Sequence, residues 1–389
     1  MRVTVEIPAG PPAPPAPASR KAWRSKLYSR ICRLVLFFIA ASASFSGYYQ
    51  EWHFAEADMP GDDSYASIET MLDGTAHRPS VYRRLLPATA NWLDRTVPQA
   101  LKTSLDNRQA SDDDKLLYAI SASPTASNPQ YSFRYLALYA ETFLFALLAV
   151  YAMYLVCAAL DVPSPSASFA PVILILLVPY LMAGGGFFYD YSELAFFALA
   201  VWAALRLRWW WLIPITALGT WNKETFLLFI LTLYPLLRRN VPALAAALRT
   251  VALCTVSLAV LIPIRLRFAH NPGGDQGWSW LGQLHFLFNL RNLFFAAEET
   301  YGVRMLCAFT LLPIALLVWT AIRGWKHLAP ALQQHARIAA AINLPLYLVF
   351  CNPGEMRNLS MLYIALLLLL AANLQRPGGA AQASPAARH

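Results

Sequence analysis

Two adjacent carboxylates, in the stretch Gly61-Asp62-Asp63-Ser64-Tyr65, are the first residues in this chain whose types and spacing suit chemistry. Mutual repulsion and partial burial raise the pKa of one member of such a pair, leaving a group able to take a proton from a hydroxyl near neutral pH. The same two groups could hold a divalent cation, or could cap the helix that follows them. Further along come Arg78, Tyr82, Arg83 and Arg84. Guanidinium forks match phosphate oxygens, so this group reads either as a phosphate site or as a contact with ordinary lipid headgroups. The run Asp112-Asp113-Asp114 reads as a solvated loop.

Three shorter segments place charge beside apolar runs. Tyr189-Asp190-Tyr191-Ser192-Glu193 follows Gly184-Gly185-Gly186, a triplet that loosens a helix end and lets backbone approach a ligand. Trp221-Asn222-Lys223-Glu224-Thr225 lies between two apolar halves. Each half has about a dozen residues and extends roughly 18 Å, short of the roughly 30 Å hydrocarbon core, so a hairpin dipping into the membrane is expected. Lys223 and Glu224 then either pair with each other or set Lys223 against an anionic lipid headgroup. Asn352-Pro353-Gly354-Glu355-Met356-Arg357-Asn358 breaks a helix with Pro and Gly, delivering Glu355 and Arg357 at a turn.

The elements that must position these residues follow from composition. The chain has 389 residues, 57% of them hydrophobic and only 14% charged, which is too apolar for a soluble domain of this size. The expected fold is all-α, a polytopic transmembrane bundle. Runs long enough to cross, or nearly so, fall at 31–49, 133–159, 169–187, 192–206, 209–221, 225–237, 249–268, 303–322, 338–351 and 358–374, about ten spans in all. Residues 1–30 read as a disordered basic cytoplasmic tail, 31–374 as one integral membrane domain and 375–389 as a second disordered tail.

Lys and Arg beside short loops set the orientation. Arg20, Lys21, Arg24, Lys26, Arg30 and Arg33 precede the first span, and Arg206, Arg208, Arg238, Arg239, Arg323, Lys326 and Arg337 recur in alternate loops. Both termini are therefore expected in the cytoplasm, in an inner-membrane protein. Arg265 and Arg267 break the pattern at the outer end of their span, where snorkelling to the interface accounts for them. The long segment 50–132 becomes the first extracytoplasmic loop, with amphipathic helices expected near 64–73 and 81–95. Five cysteines lie scattered within or beside spans with no CxxC spacing and read as packing residues. The formal charge of +9 belongs to the membrane orientation and to anionic lipids, and gives no support to nucleic-acid binding.

Carboxylates and cations above apolar helices on the outer side resemble the GT-C class of polytopic glycosyltransferases. The resemblance rests on Asp62 and Asp63 in the first outer loop, on Lys223 and Glu224, and on Glu355 with Arg357. It covers most of the chain in topology and only short motifs in sequence. It implies a polyprenyl-phosphate-linked sugar as donor and a lipid or glycan as acceptor, both reached from the surrounding membrane lipids. Asp62 or Asp63 would be the catalytic carboxylate, and Lys223, Arg357, Arg83 and Arg84 would hold the donor phosphate. Tyr65, Tyr82, Asp190, Glu193, Glu224 and Glu355 would line the cavity, with Tyr189, Trp278 and Trp280 as further aromatic surfaces. The chain departs from the class in having no Asp-X-Asp motif in the first loop and no large soluble C-terminal domain. The sequence makes no cofactor certain, and a divalent metal is compatible with the paired aspartates. A transporter or flippase for a lipid-linked sugar, and a non-catalytic envelope-assembly protein, are the rival readings.

Overall fold

The structure is a computed structural model that describes residues 20–49, 67–109, 124–182, 186–273, 280–351 and 354–375. Asp62, Asp63, Tyr65, the run Asp112-Asp113-Asp114 and Trp278 lie outside the described residues. The chain divides into two units, residues 1–36 and 37–389. Helix α1 (Arg20–Tyr49) runs from the first into the second, and in the first unit Ile31, Leu34 and Val35 present apolar surface.

The described part is built of helices, as the composition predicts. The first loop folds as α2 (Ile68–Asp73), a 3-10 turn at Ser80–Tyr82, α3 (Leu85–Thr96), α4 (Gln99–Gln109) and a single turn, α5 (Pro124–Ser127). Ser67 caps α2 by accepting from the Thr70 N–H at 3.2 Å, and Gly74 ends it at φ +76°, where a side chain would be strained. Helix α3 buries Leu85, Leu86, Pro87 and Ala90 on one side, the amphipathic pattern expected of this loop. Asp73 holds the loop to the bundle, accepting from the Tyr131 hydroxyl at 2.5 Å and pairing with Arg134 at 3.0 Å. The first of these bonds pushes the Tyr131 pKa up to about 12.

The bundle follows as α6 (Ser132–Ala159), α7 (Ser164–Leu181), α8 (Asp190–Leu205), α9 (Trp209–Asn222), α10 (Phe226–Thr232), α11 (Tyr234–Arg238) and α12 (Ala243–Arg267). Helix α6 is a long apolar run without Gly or Pro to break it, and it packs against α8, α7 and α3. Helix α8 is buried nearly all round, as a helix at the centre of a bundle must be. Then come α13 (Trp280–Phe288), α14 (Leu290–Phe295), a β-hairpin of β1 (Ala297–Thr300) and β2 (Val303–Leu306), α15 (Leu311–Trp325), α16 (Pro330–Phe350), a 3-10 stretch at Met356–Leu362 and α17 (Tyr363–Leu374).

Among the described residues five helical segments are long and apolar enough to cross a membrane: Leu27–Tyr49, Ser132–Ala159, Ser164–Leu181, Ala243–Arg267 and Met356–Leu374. The expected spans at 192–206, 209–221 and 225–237 also form helices, but shorter ones, with α10 and α11 meeting at Leu233. The expected span at 303–322 is corrected at its start. Residues 303–306 pair with 297–300 in antiparallel register, Ala297 opposite Leu306 and Thr300 opposite Val303. The reason is local: Tyr301 and Gly302 take φ +58° and +73°, a two-residue turn that reverses the chain where a helix would continue. The tip is fixed by Tyr301, whose hydroxyl donates to the Leu176 carbonyl at 2.8 Å. Its ring fills a notch at Gly47, where an added Cβ would stand 2.7 Å from it.

Candidate functional site

The charged turns read from the sequence converge on one cluster. Asp190 and Glu193 stand in the first turn of α8, where carboxylates complement the helix dipole. Lys223 is the C-cap residue of α9, the matching place for a cation. Arg83 follows the 3-10 turn of the first loop, and Arg357 lies in the 3-10 stretch that leads into α17.

Lys223 is 3% exposed, which forces it to find partners. Its Nζ donates to Glu193 Oε2 at 2.8 Å and lies 3.9 Å from Asp190 Oδ1. Glu193 Oε1 accepts from Thr225 at 3.0 Å, so both its oxygens are engaged. Arg357 lies over the Phe187 ring at 4.4 Å, with Nη1 3.7 Å from Asp190 Oδ1 and Nη2 3.4 Å from Glu355 Oε2. Arg83 reaches in from the first loop, donating to the Tyr189 hydroxyl and pairing with Glu224 at 3.4 Å. Burial opposes the Arg83 charge, but Tyr189 and Glu224 more than offset it and raise its pKa.

Neutral groups fix the carboxylates. Asp190 Oδ2 accepts from the Phe187 N–H at 2.8 Å and from the Tyr48 hydroxyl at 3.2 Å, and Glu355 accepts from Asn358 at 2.7 Å. Asn222 donates to the Tyr189 carbonyl at 3.1 Å and accepts from Ser192 at 2.6 Å, tying the α9 terminus to that of α8.

Three cations thus face four carboxylates, an excess of one negative charge among the described residues. The cluster is not fully closed by its own bonds. Arg83 Nε, Arg357 Nε and Nη1, Asp190 Oδ1 and Glu224 Oε2 are buried without a hydrogen-bond partner. The gaps of 3.7 and 3.9 Å around Asp190 are ion-pair distances too long for direct hydrogen bonds, the spacing at which a bridging oxygen completes a polar contact. Chemically, the arrangement offers guanidinium donors to an anion and carboxylate acceptors to hydroxyls.

The structure therefore gathers Arg83, Tyr189, Asp190, Glu193, Lys223, Glu224, Glu355 and Arg357, and leaves other expected members apart. Arg84 turns away: its guanidinium donates to the Met71 carbonyl and lies 5.4 Å over the Phe268 ring, and burial lowers its pKa. Tyr82 faces Arg265, whose guanidinium lies 5.6 Å over its ring, and Arg267 lies over Phe268 at 5.4 Å. Trp280 is 43% exposed on α13. Of the two alternatives for Lys223, the pair with Glu224 does not form, since Lys223 takes Glu193 and Glu224 takes Arg83. Gly186 is approached by the Tyr48 ring, 2.6 Å from the place of a Cβ, while Gly184 and Gly185 lie outside the described residues.

Sequence reading missed Tyr48 and Phe187, whose only signal is aromatic character beside a turn. It also missed Glu141, a lone carboxylate inside the apolar run of α6. Among the described residues no group of three or more His, Cys, Asp or Glu gathers at metal-binding spacing. An apolar groove of about 550 Å³, lined by Leu177, Leu181, Tyr301, Leu312, Leu317 and Leu370, runs between α7, the hairpin, α15 and α17. Helices α7 and α17 are also the ones that flank the Phe187 to Glu193 turn and the Arg357 stretch. Comparison with known proteins returns no matching family model, no matching curated protein and no matching solved structure.

Proposed function

We propose that this chain is a membrane glycosyltransferase of the GT-C kind, moving a sugar from a polyprenyl-phosphate donor to a lipid or glycan acceptor on the extracytoplasmic face. The observation that carries the reading is the convergence of Arg83 and Arg357, each with guanidinium N–H groups left unspent, on a carboxylate-rich cluster joined by the helices that wall an apolar groove. A phosphate bearing a long apolar tail has both parts matched by that combination. In this reading the chain crosses the inner membrane about ten times with both termini in the cytoplasm, and the cluster faces outward.

Asp62 or Asp63 removes the acceptor hydroxyl proton as that oxygen attacks the anomeric carbon of the donor. The bond from that carbon to the phosphate oxygen breaks, and the phosphate leaves with the electron pair. Arg83 and Arg357 stabilise the charge that develops on it. Lys223, held by Glu193, sets the position of Asp190 and through it that of Arg357.

The test is mass spectrometry of lipid-linked sugars and envelope glycans in a strain lacking the chain, complemented with wild type, with Asp62→Ala plus Asp63→Ala, or with Arg357→Lys. One sugar should vanish from a glycan while its polyprenyl-phosphate donor accumulates, with only wild type restoring it. Arg357→Lys keeps the charge but loses the fork, and should slow transfer by about 100-fold. Full restoration by the aspartate variant removes the catalytic assignment. A second reading, a carrier for a lipid-linked sugar, draws on the buried, ion-paired Lys223, because intramembrane ion pairs also serve transport. In that case the lipid-linked sugar accumulates on the cytoplasmic side.

A further inference from the structure

Glu141 belongs to none of the chemistry above. It stands nine residues into α6, about 13 Å along the helix axis, within a segment long and apolar enough to cross a membrane. Its side chain is half-buried, and Oε2 lies 2.8 Å from Thr89 Oγ1 on α3. Among the described residues no cation comes within ion-pair distance of it.

The charged groups on the elements packed against α6 are engaged elsewhere or lie at helix ends. On α3, Asp94 pairs with Lys102 of α4 at 2.8 Å, and Arg95 is exposed in the last turn. On α4, Asp106 accepts from Ser132 at 2.7 Å, and Arg108 stands in the last turn. On α6 itself, Arg134 is held by Asp73. Asp190 and Glu193 of α8 belong to the ionic cluster. Helices α5, α7 and α17 carry no Asp, Glu, Lys, Arg or His, with Tyr180 and Tyr363 their only tyrosines. In the part of α1 beyond residue 36, the titratable groups are Tyr48 and Tyr49.

Hydrogen counting favours a protonated Glu141. Thr89 Oγ1 lies within hydrogen-bond distance of three oxygens: the Leu85 carbonyl at 3.1 Å, the Leu86 carbonyl at 2.9 Å and Glu141 Oε2 at 2.8 Å. A hydroxyl has one hydrogen to give. If Glu141 were a carboxylate, it would take that hydrogen, and the carbonyl contacts would become oxygen against oxygen with no proton between them. If Glu141 carries a proton, it donates to Thr89, and the one Thr89 hydrogen is free to be shared between the Leu85 and Leu86 carbonyls of its own helix. An ionised carboxylate at membrane depth with no cation beside it is also the costlier state.

We propose that Glu141 is a proton-binding site, a carboxylic acid at neutral pH that donates its hydrogen to Thr89 and by that proton holds α3 against α6. Helix α3 begins one residue after Arg84, so the proton helps hold the segment that delivers Arg83 to the ionic cluster. Deprotonation sets an unpaired charge against Thr89 and loosens that seat. Nothing in this inference depends on the glycosyltransferase reading.

The experiment uses the full chain in lipid nanodiscs. Infrared difference spectra between wild type and Glu141→Gln should show, at neutral pH, the carbonyl stretch of a protonated carboxyl that the variant lacks. Once pH exceeds the titration point of the group, that band should fall about tenfold for each further pH unit. A difference spectrum showing only carboxylate bands at neutral pH overturns the assignment. Amide hydrogen exchange over 85–96, corrected for intrinsic rates, should accelerate at alkaline pH in wild type and stay constant in Glu141→Gln, whose amide still donates to Thr89. Equal behaviour of the two proteins overturns the seating role.

Discussion

Lys223 shows how burial decides what a side chain can do. It pairs with Glu193 and Asp190 while both its own side chain and theirs are nearly inaccessible, so removing the cation strands Glu193 and leaves Asp190 with Arg357 alone as its cation. Lys223→Met is expected to cost roughly 3–5 kcal/mol of stability, seen as a lower unfolding temperature of the purified protein. Adding Glu193→Gln to it should recover part of the loss, because the stranded charge is then removed as well. A variant of wild-type stability would mean that the ion pair does not hold the α8 and α9 termini. The turn that carries Lys223 was legible in the sequence, as were Asp190, Glu355 and Arg357, because charges placed between apolar runs have few places to go. Their pairing was not. Neighbours in sequence suggest a Lys223 to Glu224 bond, but Lys223 has extended backbone, φ −156° and ψ 132°, which sends successive side chains to opposite sides.

At the level of elements, the close turn between α9 and α10 depends on Gly219. A Cβ there would stand 2.5 Å from two atoms of the Phe226 ring. That ring cannot swing aside, being 1% exposed and stacked on Phe197 at 5.6 Å. Gly219→Ala should therefore destabilise by about 1–3 kcal/mol, with much of the loss returned when Phe226→Leu is added; thermal unfolding of the single and double variants measures both. Helices were the legible elements, because long apolar runs admit little else at membrane depth. The hairpin at 297–306 was not legible. Its second strand opens what reads as a continuous apolar segment, and only the Tyr301 and Gly302 backbone, with the Gly47 notch that receives the ring, turns the chain back.

For the whole molecule, the arrangement of basic loops makes a prediction about sides. Val303 and His327 are exposed on either side of α15. With Val303→Cys in a cysteine-free background, a membrane-impermeant maleimide should label intact cells, whereas His327→Cys should label only after permeabilisation. The reverse pattern would put the ionic cluster on the cytoplasmic side and remove the outward site. The charge pattern along the chain predicts this orientation, whereas the partners within the cluster depend on which helix ends meet in space. That meeting has a consequence for biosynthesis. Asp190, Glu193 and Lys223 emerge from the ribosome well before Arg357, so the early half of the cluster enters the bilayer with only part of its positive charge. Glu355 and Arg357 then arrive together as a mutually compensating pair, so the last step of assembly leaves the net charge of the cluster unchanged and supplies Asp190 with its guanidinium partner.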